Sequence, residues 1–207
     1  MCGANGSTGR QVVAQALERG WSVTATDIVE PRVEPSPQVR VQVADLVESS
    51  SVDAVTADAD AVISVIAGTR DGTGPATLYS SSAQNLVRAA DRSHCRLVFC
   101  TSSALGERVT RDPWIQDHIV EPLRRWGDPD DMATAERILA DSDADWVVVR
   151  PGRLHDRPAS GAVEVTPEFR PELGTALARA DLARFLLDQV VSDDWLRRTA
   201  VLSSHWD

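Results

Sequence analysis

The chain opens on a glycine run whose spacing constrains the fold more than any other feature of the sequence. Gly3, Gly6 and Gly9 form a G-x-x-G-x-x-G pattern that leads directly into the helical pattern of residues 11–17, which ends at Gly20. Glycines at these places permit a tight turn out of a strand, a close approach of a ligand to the backbone, and close packing of helix on sheet. The N–H groups of the first helical turn and the positive end of the helix dipole would then face a pyrophosphate group.

Strand and helix signals alternate along most of the chain. Apolar or β-branched runs predict strands at residues 21–26, 39–43, 61–66, 96–101 and 145–150, and helical periodicity predicts a helix at 80–90. The nearly continuous apolar run at 61–66 is typical of a parallel strand buried on both faces. We therefore expect an α/β fold with a doubly wound, mostly parallel sheet (a Rossmann fold) in a single domain spanning residues 1–207.

A sheet of this kind needs a central strand before the first glycine, but only Met1 and Cys2 precede Gly3. Loss of a strand that is paired on both sides should be severely destabilising, because its neighbours lose their backbone partners. We interpret Met1 and Cys2 as the end of a truncated first strand and expect residues upstream of Met1 to belong to it. The alternative is a fold that does without a complete first strand.

Charge and composition narrow the classes of partner. The net charge of −10 and the pI of about 4.8 argue against nucleic acid or anionic membrane as a partner. With no signal-peptide pattern and no apolar stretch of bilayer-spanning length, a cytoplasmic protein with a small-molecule partner is expected. Cys2, Cys95 and Cys100 are expected to be reduced thiols, and no metal site is predicted. Whether the chain is a monomer or a dimer is left open.

The basic residues exclude one catalytic mechanism. All 21 are arginine, so the Tyr-x-x-x-Lys pair of the best-known short-chain dehydrogenases is absent. Tyr79 is the single tyrosine, and its place in a predicted helix favours a packing role.

Several segments together carry a family resemblance. They are Thr-Gly-Arg at 8–10, Ala-Gly-Thr-Arg at 67–70, Cys-Thr-Ser-Ser at 100–103, Asp-Asp at 130–131, Asp-Arg-Pro at 156–158, Gly-Ala at 161–162 and Arg-Ala-Asp-Leu-Ala at 179–183. With them, nearly the whole chain resembles the atypical short-chain dehydrogenase/reductases of the NAD(P)H-binding, NmrA-like type. Within that group it is most similar to the flavin reductase/biliverdin-IXβ reductase branch.

The resemblance implies a nucleotide site. The glycine run and its neighbours would hold the pyrophosphate, a loop after the third predicted strand would hold adenine, and the later turns would line the ribose and nicotinamide. The implied cofactor-binding residues are Gly3, Asn5, Gly6, Ser7, Thr8, Gly9, Asp45, Leu46, Ala67, Gly68, Arg70, Pro151 and Gly152. Thr101 and Ser102 would lie beside the nicotinamide and, with Arg153, are the candidate catalytic residues. Alternatively, Thr101 and Ser102 form a strand end that caps its own turn, and Asp45 is a solvated loop carboxylate.

The choice of nucleotide depends on Asp27, which lies 24 residues after Gly3 at the end of a predicted strand. A carboxylate there accepts hydrogen bonds from both ribose hydroxyls of NAD and repels the 2′-phosphate of NADP. The flavin reductase branch usually has an arginine near this place, whereas here the nearby cations are Arg32 and Arg40. The sequence thus favours NAD(H) over NADP(H). The alternative interpretation is that Asp27 is a plain turn residue.

The acceptor end departs from the family pattern. Arg153 stands where these reductases have a histidine, with His155 two residues on, and Met132 matches a second family histidine. Reduction of FMN or FAD as a substrate needs little beyond stacking of two rings, whereas tetrapyrrole reduction is put in doubt. The substrate-side wall is expected at about 103–130 and 151–178, where Trp114, Ile115 and Trp126 are candidates for stacking or for plain packing.

Two functions from different classes remain. One is an NAD(P)H-dependent oxidoreductase that reduces a flavin, a quinone or a similar planar acceptor. The other is a non-catalytic, NmrA-like sensor that binds NAD(P) and reports redox state to a partner. Thr101 and Ser102 favour the enzyme, and the missing tyrosine–lysine pair and histidines favour the sensor.

Overall fold

The computed structural model describes residues 1–68, 75–105, 128–170 and 176–204. The helices are α1 (Ser7–Glu18), α2 (Ser49–Thr56), α3 (Leu78–Ser93), α4 (Pro129–Ala140) and α5 (Arg179–Val191). The strands are β1 (Val23–Asp27), β2 (Val39–Val43), β3 (Ala61–Ser64), β4 (Arg96–Cys100), β5 (Trp146–Pro151), β6 (Arg153–His155), β7 (Glu164–Thr166), β8 (Ala176–Ala178) and β9 (Arg198–Ser203). A 3₁₀ turn at Ser103–Leu105 follows β4.

The residues before the glycine run lie in the middle of the main sheet. β1 pairs with β2, and β3, β4, β5, β9 and β7 form a five-stranded array in that order. Cys2 joins the two groups, since it pairs in parallel with both Thr26 of β1 and Ser64 of β3. Every strand pair in this sheet is parallel except β7 with β9. The doubly wound α/β fold is confirmed, and Met1 and Cys2 occupy the place predicted for the end of a first strand.

Helices cover both faces of the sheet, and the strand residues alternate between two apolar cores. In β4, Leu97 and Phe99 pack with α2, α3 and α4, whereas Val98 packs with α1 and α5. Because both sides of a strand are buried, its sequence is apolar at consecutive positions rather than alternating with polar residues. The carboxyl ends of β4 and β5 lie at one edge of the sheet. The strand order switches between β1 and β3 at the same edge, and the candidate site lies there.

Two further expectations can be compared with this fold. The three cysteines are free thiols and are buried, as expected for reduced, structural side chains. No helix in the described ranges combines the length and the apolar character that a bilayer span requires.

Candidate functional site

A cavity of about 670 Å³ lies at the start of α1, beyond the carboxyl ends of β3, β4 and β5. It has the size of a small-molecule site. The sequence-predicted residues that line it are Asn5, Gly6, Ser7, Thr8, Gly9, Ala67, Thr101, Ser102, Pro151, Gly152 and Arg153. Gly3, Asp27, Asp45, Leu46 and Gly68 lie outside its lining, and Arg70 lies outside the described residues. The fold thus brings two distant parts of the predicted site, the glycine run and the ends of β4 and β5, into one cavity.

The turn before α1 exposes Gly6 to the cavity. Gly6 has φ −65° and ψ 156°, an extended conformation that any residue adopts, and it is exposed on the cavity. A Cβ there would have one close contact, 3.2 Å from the carbonyl oxygen of Gly3, and would need a shift of a few tenths of an ångström. Gly3 itself has φ +84°, in the region that favours glycine, and its N–H donates a hydrogen bond to the Thr26 carbonyl oxygen at 3.0 Å. The absent side chain of Gly6 therefore matters for what approaches the turn rather than for the turn itself.

The first turn of α1 is open to an anion. Gly6 is the N-cap residue, no side chain caps the helix, and its first turn carries no acidic residue. The N–H groups of Ser7, Thr8 and Gly9 lie in the turn that has no intrahelical acceptors. With the helix dipole, these groups and the open cradle at Gly6 fit the pyrophosphate of a dinucleotide.

Asp27 ends β1 and is fixed by two backbone N–H groups. Its Oδ2 accepts from Asn5 N at 2.9 Å and its Oδ1 accepts from Ile28 N at 2.8 Å. The Asn5 side chain in turn holds the loop after β1, because its Oδ1 accepts from Arg32 N at 2.8 Å and its Nδ2 lies 3.3 Å from the Glu30 carbonyl oxygen. Each carboxylate oxygen of Asp27 keeps acceptor capacity for a ribose hydroxyl. Its role towards ribose stays a prediction, as does that of Asn5 towards the nucleotide.

The predicted adenine residues follow β2 on a loop held by α3. Asp45 Oδ1 accepts from Val47 N at 2.9 Å, and the Leu46 side chain is buried in the core. Asn85, a buried residue of α3, donates through Nδ2 to the carbonyl oxygens of Leu46 and Val47 at 2.9 and 2.8 Å. Sequence reasoning missed Asn85, although a polar amide within the apolar pattern of this helix was a signal for it. The adenine contacts of Asp45 and Leu46 remain predictions.

Thr101 is tied to a carboxylate that sequence reasoning also missed. Its hydroxyl donates to Glu136 Oε1 at 2.6 Å, and Arg150 donates to the same carboxylate through Nε at 3.0 Å and Nη2 at 2.5 Å. The hydroxyl oxygen of Ser102 accepts from Ala104 N at 3.3 Å. The Thr101 proton is thus engaged within the protein, whereas the Ser102 contact uses only the oxygen and leaves the hydroxyl proton for a ligand.

Two other groups at the cavity do not exchange protons at neutral pH. Burial raises the pKa of the Cys100 thiol to about 12. Burial, and to a lesser extent the electrostatic influence of Cys100 and Asp131, also raises the pKa of Tyr79 above its ordinary value. The Tyr79 hydroxyl donates to the Ile66 carbonyl at 3.2 Å, and Asp131 Oδ2 accepts from Tyr79 N at 2.7 Å. Tyr79 is a buried helix residue, as predicted.

Arginines surround the acceptor side of the cavity. Arg153 and Arg179 line it, and Arg179 donates to Asp156 at 2.9 Å, whereas Arg10 lines the cavity at the start of α1. His155 lies beside them but not in the lining, and desolvation together with Arg157, Arg179 and Arg153 lowers its pKa. This shift favours the neutral form of His155, and the positive charge here comes from guanidinium groups.

The substrate-side wall is described only in part. Leu105, Pro129, Met132 and Leu154 contribute apolar surface to the cavity. Trp114, Ile115 and Trp126 fall in residues 106–127, outside the described residues. Their stacking role stays a prediction.

We expect Glu136→Gln to lower the thermal midpoint by about 4–8 °C. The Glu136 and Arg150 side chains are 10% and 20% exposed, so an amide in place of the carboxylate leaves the guanidinium partly buried without its counter-charge. Breaking such a pair costs about 2 kcal/mol after allowance for this exposure. In a chain of this length, each kcal/mol lost lowers the thermal midpoint by about 2–4 °C. Calorimetry against Glu164→Gln, an exposed carboxylate of β7, measures the effect. Equal midpoints for the two variants would show that the pair does not stabilise the fold.

Comparison with known proteins agrees with this geometry. Residues 3–193 match a family model described as NAD(P)H-binding. Similar solved structures include ChuY, an anaerobilin reductase from Escherichia coli O157:H7, at 19% identity and a TM-score of 0.72 over 97% of this chain and 94% of that one. A short-chain dehydrogenase/reductase from Veillonella parvula in complex with NADP has 15% identity and a TM-score of 0.76, over 98% and 92% of the two chains. The oxidoreductase ylbE from Lactococcus lactis has 15% identity and a TM-score of 0.77, over 99% and 91%.

Proposed function

Because the chain belongs to the NAD(P)H-binding family, whose fold it shares with oxidoreductases, we propose that it is a reductase that transfers hydride from a bound nicotinamide nucleotide, NADH by preference, to a planar acceptor. The acceptor class is a flavin, FMN or FAD, or a quinone. The observation that carries the proposal is one cavity with an uncapped helix start at one end and an apolar wall with two arginines at the other. Three buried thiols accord with a reducing, cytoplasmic location.

The protein's part in such a reaction is mainly to bind and orient. The nicotinamide supplies the hydride when the nucleotide is bound. The first turn of α1 and Gly6 hold the pyrophosphate, Asp27 holds the ribose, and Pro151 and Gly152 limit the space beside Ser102. The hydroxyl of Ser102 donates a hydrogen bond to the bound ligands, and Thr101, fixed by Glu136, keeps the end of β4 in place.

The acceptor side favours a substrate that is both planar and anionic. Met132, Leu105 and Leu154 offer apolar surface, while Arg153 and Arg179 suit a phosphate or carboxylate group. The protonatable groups described at the cavity are poor acids, because the Thr101 and Tyr79 hydroxyls donate within the chain and Cys100 holds its proton. FMN and FAD have both features and a quinone has the planar one, and neither class needs a proton from the protein, because solvent can supply it.

The test is steady-state oxidation of NADH and of NADPH with FMN, a quinone or biliverdin as acceptor, alongside titration of nucleotide binding. Turnover with FMN or quinone is the expected result. Tight nucleotide binding without turnover on any acceptor would contradict the reductase and support the sensor. Absence of binding would contradict both functions.

We expect Asp27→Asn to raise the NADPH/NADH ratio of kcat/KM about tenfold. The amide removes the negative charge that opposes a 2′-phosphate but keeps an oxygen able to accept the Asn5 or Ile28 N–H. A tenfold change corresponds to about 1.4 kcal/mol, a modest value for two charges a few ångströms apart at a partly exposed site.

The matched control for this ratio is Asp45→Asn. Asp45 is predicted to contact adenine, which both nucleotides share, so its loss should affect NADH and NADPH equally. An unchanged ratio in Asp27→Asn would mean that Asp27 does not face the ribose. Equal shifts in both variants would mean that long-range charge, not contact, sets the preference.

A further inference from the structure

The charged residues that line the site cavity carry one sign, although the chain as a whole is acidic. The sequence has 31 acidic and 21 basic residues. The described residues of the lining nevertheless include three arginines, Arg10, Arg153 and Arg179, and no aspartate or glutamate. Arg10 lies at the start of α1, where the pyrophosphate is proposed to bind, whereas the other two lie on the acceptor side. The acceptor side therefore has positive charge of its own.

The fold brings Arg153 and Arg179 to this part of the cavity from different segments. Arg153 opens β6, and Arg179 is the first residue of α5, directly after β8. β6 and β8 pair in parallel, with Arg153 opposite Ala176. Leu154, the next residue of β6, also lines the cavity. A short two-stranded sheet thus presents two guanidinium groups and an apolar side chain to the same ligand.

Both guanidinium groups keep hydrogen-bond donors for a ligand. Arg179 donates through Nη1 to Asp156 Oδ1 at 2.9 Å, which leaves the other N–H groups of its fork. Arg153 is exposed, and its side chain has no hydrogen bond or ion pair with any residue of the described ranges. Guanidinium groups bind phosphate oxygens through pairs of parallel hydrogen bonds. Two of them together suit the several oxygens of a phosphate monoester.

The electrostatics at His155 indicate the same excess of positive charge. Its pKa is lowered by desolvation and by three nearby arginines, and one carboxylate, Asp156, acts in the opposite sense. The arginines, in order of effect, are Arg157, Arg179 and Arg153. The described groups that act on this histidine thus comprise three positive charges and one negative charge. A dianionic ligand group would balance them.

Asp156 orients Arg179 and competes with a ligand for it. The Asp156 side chain is 78% exposed, and that of Arg179 is 24% exposed. An ion pair with such an exposed carboxylate contributes little to stability. A phosphate has a larger charge and more acceptor oxygens than the carboxylate, so it can take its place on the guanidinium group.

We propose that Arg153 and Arg179 form a phosphate subsite for the acceptor, and that the acceptor is a flavin with a terminal phosphate monoester, FMN in preference to riboflavin or a quinone. This assignment rests on the proposed function, which places the acceptor on this side of the cavity. The isoalloxazine ring lies on the apolar wall, and the ribityl chain carries the phosphate to the two guanidinium groups. Asp156 competes with that phosphate and limits its affinity.

The test compares the binding of FMN with that of riboflavin, which lacks only the phosphate group. Flavin fluorescence measures both affinities, with and without saturating NAD⁺ or NADP⁺, which occupies the α1 turn and has no hydride to give. FMN should bind at least about 30-fold more tightly than riboflavin under both conditions. Arg153→Gln and Arg179→Gln should each lower this ratio at least about fivefold, because each removes charged hydrogen bonds to the phosphate.

Matched controls separate direct contact from general charge. Arg92→Gln removes an exposed arginine near the end of α3 and should leave the FMN/riboflavin ratio unchanged. Asp156→Asn should raise the ratio about threefold, because it frees Arg179 for the phosphate. Asp193→Asn breaks a similar ion pair, between an exposed carboxylate and the less exposed Arg96, and should leave the ratio unchanged.

The outcomes for this subsite and for the proposed reductase are distinguishable. Equal affinities for FMN and riboflavin, or binding of neither, would overturn the subsite even if NADH is oxidised with other acceptors. A preference for FMN that the two arginine variants keep, that Arg92→Gln also loses, or that disappears with oxidised nucleotide bound would overturn it as well. In the last case the phosphate would lie on the α1 turn. A preference for FMN that depends on Arg153 and Arg179, without any NADH turnover, would support the subsite and contradict the reductase.

Discussion

Replacing Gly6 with valine should weaken nucleotide binding at least about 100-fold while the protein stays folded. Gly6 is exposed on the cavity at the N-cap of α1, where a pyrophosphate must approach the backbone. A valine side chain fills that space, and the loss of the phosphate contacts corresponds to about 2.7 kcal/mol or more. Isothermal titration with NADH and NADPH measures the loss.

The fold tolerates this change for reasons that the turn itself shows. The φ and ψ of Gly6, −65° and 156°, are ordinary for a residue with a side chain. The one close contact of a Cβ, 3.2 Å from the Gly3 carbonyl oxygen, needs a shift of only a few tenths of an ångström. The control is Gln11→Ala, an exposed change one turn farther along α1. If Gly6→Val binds nucleotide as Gln11→Ala does, the pyrophosphate does not lie on this turn.

Local sequence patterns were enough for the parts of the fold in which short-range and long-range forces agree. The buried runs that became β3, β4 and β5 are apolar because both of their faces are covered, whereas β2 keeps a β-branched strand pattern although it is largely exposed. β9, by contrast, escaped prediction although it pairs with β5 from Val147 to Pro151. Arg198 and Thr199 open it with polar side chains, so its burial depends on partners 50 residues away.

The candidate site divides in the same way. Its glycine turn is formed by neighbouring residues, and their spacing is recognisable in the sequence. The Glu136 carboxylate contacts Thr101 and Arg150 only because α4 packs against the ends of β4 and β5. No spacing along the chain relates these three residues. Such a network follows from tertiary packing, and only the fold reveals it.

Replacing Gly9 with alanine should lower the thermal midpoint by more than about 10 °C or leave the chain insoluble. Gly9 lies within α1, where intrinsic propensity alone would make alanine about 1 kcal/mol better than glycine. Sterics reverse that preference, since a Cβ at this place would lie 2.0 Å from the Gly3 carbonyl oxygen, 2.8 Å from the Gly3 carbonyl carbon and 2.9 Å from Ala4 Cα. All three are backbone atoms, so no flexible side chain can move aside.

The remaining way to admit the Cβ is to move α1 away from the Gly3 turn. That turn is held to β1, because the N–H groups of Gly3 and Ala4 both donate to the Thr26 carbonyl oxygen at 3.0 Å. A shift of α1 would therefore open its contact with the sheet, at a cost beyond the usual 1–3 kcal/mol or so of core overpacking. Calorimetry of Gly9→Ala beside Gln11→Ala separates this clash from helix propensity. Because Gly6→Val should spare the midpoint that Gly9→Ala lowers, matching midpoints in those two variants would refute the division of roles between these glycines.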